Sequence, residues 1–185
     1  MADNSDLGRK ILVAGQGGKS TLARALAAEL GLPYIELDAL SHLPNWVETP
    51  KDEFRESVRK VLVDNPDGWV IDGNYATDLK GMVAGEAETV VYVNIGFWLM
   101  FWRLFWRGVA RARDKQLICG ENVETWGRMF GRESLLWFLI THRKNISQKR
   151  GPRLREWASG SRMIELKGRG ALDGFYEERG LVRGA

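Results

Sequence analysis

Apolar positions along the chain fall into two alternating kinds of run. Short unbroken stretches at Lys10–Ala14, Tyr34–Leu37, Trp69–Ile71, Val90–Val93 and Met163–Leu166 have the length and character of strands covered on both faces. Between them the spacing turns helical. Ser20–Leu30 places Leu22, Ala25, Leu26 and Leu30 on one side and stops at Gly31, with Pro33 just beyond, the usual terminator of a helix. Pro50–Val63 opens on proline and gathers Phe54, Val58, Val61 and Leu62 on one side. From Phe97 onward Arg103, Arg107 and Arg111 recur every fourth residue on one helical face, with Trp and Phe on the opposite one. Strand and helix in alternation predict a parallel, doubly wound α/β sheet with helices on both faces.

The run from Val90 to Trp106 is the densest in apolar residues and raises the question of a membrane span. From Thr89 only 14 residues pass before Arg103, fewer than the roughly 18–20 a spanning helix needs. A strand followed by an amphipathic helix is the better reading, with contact at a membrane surface as the alternative.

Length and composition narrow the class. The chain has 185 residues, 44% hydrophobic and 28% charged, the makeup of one globular domain over 1–185. Disorder, collagen-like repeats and disulfide scaffolds are excluded as descriptions of the whole. The single cysteine, Cys119, forms no internal disulfide and no cysteine-ligated zinc site. The polar, acidic opening residues lack the pattern of a secretory leader, so a cytoplasmic location is expected. The net charge of +3 hides an asymmetry: residues 1–100 sum to −6 and residues 101–185 to +9. The basic half suits an anionic ligand, whether nucleotide phosphate, nucleic-acid backbone or acidic membrane surface.

The first strand–helix junction carries the strongest chemical signal: Gly15-Gln16-Gly17-Gly18-Lys19-Ser20-Thr21. Glycines let successive backbone N–H groups converge on phosphate oxygens, the helix directs its positive end at them, and the Lys19 ammonium adds a full charge. Ser20 is the expected Mg²⁺ ligand in such a loop. Five residues before Gly18 stands Val13, so the loop is one residue shorter than G-x-x-x-x-G-K-[ST]. One amide of the anion nest is expected to be missing, and a left-handed turn at Ala14 would cost about 1–2 kcal/mol.

Two acids stand at predicted strand ends. Asp72, in Trp69-Val-Ile-Asp72-Gly-Asn-Tyr75, occupies the carboxyl edge where open α/β sheets bind ligands and is the carboxylate expected to reach Mg²⁺ through the ion's bound water; a turn acid or helix cap is the plain alternative. Glu36 and Asp38 alternate along the second strand and are expected to point the same way, with Asp38 positioned to bind or deprotonate an acceptor hydroxyl or else to cap a helix. Arg103, Arg107 and Arg111 suit a clamp on phosphate oxygens, although an arginine row is also the common form of a solvated helix face. Trp102, Trp106, Trp126, Trp137 and Trp157 read as packing residues of core or lid rather than base-stacking platforms. His42 and His142 belong to no motif and share no metal-ligand spacing.

The loop, the stretch Ile35–His42, then Asn45-Trp-Val-Glu and Trp69–Tyr75, continuing through Val90–Arg113, resembles adenylate-kinase-related P-loop proteins, in particular the bacterial branch named for DNA topology modulation. The resemblance implies a P-loop NTPase fold with a five-stranded parallel sheet and a helical, arginine-bearing lid over about 103–150. It implies ATP and Mg²⁺ as ligands, with Gly15, Gln16, Gly17, Gly18, Lys19, Ser20 and Thr21 holding nucleotide. By the same resemblance Ser20 and Asp72 would hold the metal, Asp38 would serve the acceptor, and Arg103, Arg107 and Arg111 would line the lid. Adenylate kinases follow the equivalent Asp-Gly with an aromatic residue, proline and arginine, whereas Asn74-Tyr75-Ala76 supplies no guanidinium. The Glu36/Asp38 pair instead resembles acceptor acids of kinases for small hydroxyl metabolites. The expectation is therefore an ATP-dependent kinase acting on a nucleotide or small hydroxyl acceptor. The alternative is a non-catalytic nucleotide- or nucleic-acid-binding regulator.

Overall fold

The computed structural model describes residues 4–43, 47–114, 117–118, 122–123, 137, 141 and 151–184. Among these, five strands form one parallel sheet: β1 (Lys10–Gln16), β2 (Tyr34–Glu36), β3 (Trp69–Asp72), β4 (Thr89–Asn94) and β5 (Arg162–Lys167). Their spatial order is β2-β3-β1-β4-β5. The register aligns Val13 with Asp72 and Gln16 with Asn94, so β1 and β4 project beyond β3 at the carboxyl edge.

Each strand alternates its side chains between two cores. Ile11, Val13, Val70, Val91 and Val93 meet Leu22 and Leu26 of α1 (Lys19–Leu30) on one face, together with Leu172 and Phe175 of α6 (Gly168–Glu178) and Met100 of α5 (Phe97–Asp114). On the other face Leu12, Ile71, Val90 and Tyr92 meet Leu37 of α2 (Leu37–Ser41), Phe54, Val58 and Leu62 of α3 (Lys51–Asp64), and Val83 of α4 (Met82–Glu86). The layering is a five-stranded parallel sheet with helices on both faces, the α/β arrangement that the alternation of strand and helix predicts. α1 ends as expected: Gly31 adopts φ 61°, and its N–H closes on the Ala27 carbonyl.

Two local expectations change. β1 runs on through Gly15 and Gln16, because the longer β4 offers ladder partners as far as Asn94. Ala14 is accordingly ordinary strand: Lys80 is the one non-glycine residue of positive φ among those described. At the second strand, the chain leaves the sheet at Glu36 and turns into α2, so Asp38 lies in a helical first turn rather than on a strand.

Candidate active site

Only Gly17 and Gly18 separate the end of β1 from the start of α1. Both have positive φ, 72° and 86°, a succession that side-chain-bearing residues rarely adopt and that curls backbone N–H groups inward. α1 then begins with Gly18 as its cap, and Leu22 N–H makes the first bond back to the Gly18 carbonyl. The N–H groups of Lys19, Ser20 and Thr21 precede that bond, and a helix offers them no acceptor of its own. They form the positive end of α1, the natural seat of an anion.

The loop is fastened from β3. Asn74 accepts a hydrogen bond from the Gly15 N–H at 2.7 Å and donates from Nδ2 to the Gly15 carbonyl at 2.8 Å. A side-chain amide here takes the place of a backbone peptide, bonding both polar groups of one residue. Gly15 is obligatory in this arrangement: it has φ 114°, and a Cβ would stand 2.0 Å from the Val93 carbonyl oxygen. The Gly15 N–H is thereby directed to the Asn74 side chain.

Lys19 is not the freely exposed loop cation its position suggests. Its ammonium lies 2.7 Å from Asp72 Oδ1; the lysine side chain is 17% exposed and Asp72 is fully buried. Tyr34 donates its hydroxyl to Asp72 Oδ2 at 3.2 Å. Burial first, then the neighbouring Asp72 carboxylate, pushes the Tyr34 hydroxyl above its ordinary range, so it stays protonated and stays a donor. A carboxylate removed from water requires such partners, because an uncompensated buried charge is strongly unfavourable.

Asp38 stands in a second cluster. Tyr75 donates to Asp38 Oδ1 at 2.7 Å, the Tyr75 hydroxyl contacts Ser41 Oγ at 2.7 Å, and Ser41 Oγ lies 2.8 Å from His42 Nδ1. Ser41 also donates to the Asp38 carbonyl at 3.1 Å, which ties the cluster to the turn of α2. Tyr75 is itself set by Phe54, edge to face at 5.1 Å. Glu36 goes elsewhere: Arg24 of α1 pairs with it at 3.4 Å and lies over the Tyr34 ring at 4.9 Å. The expected Glu36/Asp38 pair is thus divided, because the helical turn after Glu36 replaces strand alternation.

The Gly-Gly-Lys-Ser loop, Asp72 and its clamp are therefore brought together at the carboxyl edge, with Asp38 tied through Tyr75 to the loop that follows β3. Asn74, Tyr75 and Tyr34 carry no sequence motif that marks them as site residues; Asp-Gly-Asn reads as a turn, and Tyr34 as a strand residue. Positions 103, 107 and 111 lie on α5, but their side chains lie outside the described residues, as do Trp126, His142, Cys119 and most of 103–150. Among the described residues no group of three His, Cys, Asp or Glu could hold a metal, and no helix is long and apolar enough to cross a membrane.

No family model and no curated protein matches the chain. Among solved structures, an unliganded sugar kinase from Janibacter sp. HTCC2649 is similar at 14% sequence identity, covering 92% of this chain and 93% of that one, with a TM-score of 0.47.

Proposed function

We propose that the protein is an ATP-dependent phosphotransferase that moves the γ-phosphoryl group to the hydroxyl of a small acceptor. The observation that carries this reading is the Gly17-Gly18 connection opening directly onto the N-terminus of α1, with the Lys19 ammonium beside it. Its donor set is complementary to polyphosphate: amides of the first helical turn, positive helix end and ammonium all select negative charge. Ser20 and Asp72 supply hard oxygen donors of the kind Mg²⁺ takes, and would hold that ion, which screens the charge of the phosphate oxygens.

The chain's own residues divide the remaining work. Lys19 shares its charge between Asp72 and an incoming phosphate, and Asp72 keeps the ammonium aimed at the loop in the resting state. Asn74 holds the strand side of the loop in register. Asp38 accepts the proton of the acceptor hydroxyl as its oxygen attacks phosphorus, while the Tyr75 donor keeps that carboxylate oriented. Arg103, Arg107 and Arg111, spaced at one turn along α5, are assigned to charge stabilisation on the transferred group. The acceptor side supports a hydroxyl compound over a nucleoside monophosphate, since the turn Asn74-Tyr75-Ala76 carries no guanidinium.

The test is an ADP-release screen over nucleosides, nucleoside monophosphates and small polyols with MgATP. Acceptor-dependent ADP production that falls at least tenfold in Asp38→Asn, with ATP binding retained, supports the assignment. ATP binding without turnover on any acceptor favours the regulator reading. Nucleic-acid binding that weakens steeply with salt, with no ADP formed, identifies that regulator as a nucleic-acid partner.

A further inference from the structure

α1 sets two cations, Lys19 and Arg24, toward β2 and β3, whereas α5 turns Trp102 and Trp106 outward, exposed against the expectation that they pack inside. Between the two cations of α1 runs an unbroken series of contacts. Lys19 meets Asp72 Oδ1 at 2.7 Å, Tyr34 donates to Asp72 Oδ2 at 3.2 Å, the Arg24 guanidinium lies 4.9 Å from the centre of the Tyr34 ring, and Arg24 pairs with Glu36 at 3.4 Å. Strand register makes the series possible. Glu36 stands beside Asp72 and Tyr34 beside Val70, so Tyr34, two residues back along β2, reaches forward to Asp72 on the same face of the sheet. That face packs on α1, and Tyr34 lies against the core that contains Leu22 and Leu26.

The two ends of the series differ in weight. Lys19 and Asp72 are withdrawn from water, so their attraction is little screened, whereas Arg24 and Glu36 are 49% and 33% exposed, and such a pair contributes little by itself. Arg24 acts through the ring it covers. A carboxylate offers two acceptor oxygens, and the donors that each one finds fix how it is turned. With Oδ2 held by Tyr34, Oδ1 is the oxygen left to Lys19, beside the Gly17-Gly18 loop. Without the hydroxyl, Lys19 is the one side-chain donor among the described residues left to a fully buried charge, which draws the ammonium toward Asp72 and away from a ligand. We propose that Tyr34 is a positioning residue for anion binding at this loop: through Asp72 it sets where the Lys19 ammonium stands, and Arg24 holds the Tyr34 ring for that task. The assignment takes its purpose from the nucleotide site proposed above and its geometry from these contacts.

The test is a pair of mutant cycles on the full chain. In the first, calorimetric ATP affinity is measured for Tyr34→Phe alone and in a background carrying Lys19→Gln with Asp72→Asn. Tyr34→Phe alone is expected to weaken ATP binding about tenfold, and by about twofold at most in that background, where the route through Lys19 is gone. In the second cycle, urea midpoints give the coupling between Lys19 and Asp72 with Tyr34 or with Tyr34→Phe, and the coupling is expected to rise when the hydroxyl is removed, because Asp72 then depends more on Lys19. Arg24→Gln, at a half-exposed site, is expected to move both readings in the same direction by less, and decides the matter if Tyr34→Phe does not fold. A wild type that binds no ATP would end the phosphotransferase reading, and the coupling would still decide the role of Tyr34. A Tyr34→Phe protein that loses stability alone, with ATP affinity and the Lys19–Asp72 coupling unchanged, would overturn the proposal.

Discussion

The Asn74 side chain grips Gly15 at both its N–H and its carbonyl, joining residues 59 apart in sequence. Through this contact the turn after β3 sets the position of the glycine loop after β1. A loop one residue shorter than the usual pattern therefore has an external brace. Gln16 continues the strand past the brace and leaves the turn itself to Gly17 and Gly18.

Asn74→Ala removes both partners of Gly15 at once. Two lost hydrogen bonds at a part-buried site cost about 1–3 kcal/mol, which for a chain of this length lowers the melting temperature by roughly 2–12 °C. Calorimetric ATP affinity should fall together with the melting temperature. A stable Asn74→Ala protein with unchanged ATP affinity would show that the brace does not set the loop.

Lys19→Ala strands the Asp72 carboxylate at a fully buried site. The expected loss is on the order of 3 kcal/mol, larger than removal of an ordinary surface lysine. Adding Asp72→Asn should recover much of it. Denaturant midpoints of the two single variants and the double variant measure the coupling, and simple additivity would contradict the ion pair.

Above pH 10 the Tyr34 hydroxyl should become a liability. Its native value is raised above the unfolded one, so its contribution is fully present below the unfolded pKa and is lost as pH rises through the native pKa. Tyr34→Phe has no such proton to lose. The stability advantage of wild type over Tyr34→Phe should therefore hold up to about pH 10 and shrink above it, read from urea midpoints; a constant difference would place the hydroxyl in an unperturbed setting.

At the acid end the same reasoning applies to Glu88 with the opposite sign. Backbone N–H groups of Lys10 and Arg9 hold its carboxylate below the ordinary range, so the stabilisation it contributes is present above about pH 4.5 and disappears as pH falls. Glu88→Gln should be less stable than wild type at pH 7 and converge with it in acid. Parallel acid-denaturation curves would remove Glu88 from that role.

Much of this fold is legible in the chain because a buried parallel strand is written as a short apolar run, and all five such runs become strands of the sheet. What was hidden has particular causes. α6 carries Gly168, Gly170 and Gly174, which mask its helical pattern. Leu37-Asp38-Ala39-Leu40 fits strand alternation and a helical turn equally at so short a length, and the helix is what forms. In the candidate site, Lys19, Ser20 and Asp72 announce themselves by motif. The contacts between distant segments do not: nothing local to Asn74 or Tyr34 indicates a partner on another strand.

Calorimetric titration of the wild-type chain with ATP, with and without Mg²⁺, tests the reading of the Gly17-Gly18 loop most directly. The account predicts one saturable site, strengthened by Mg²⁺ and weakened at least tenfold in Lys19→Gln carrying Asp72→Asn, a pair that avoids a stranded charge. A folded wild-type protein that binds no nucleoside triphosphate, or that binds it equally well without the lysine, would contradict it.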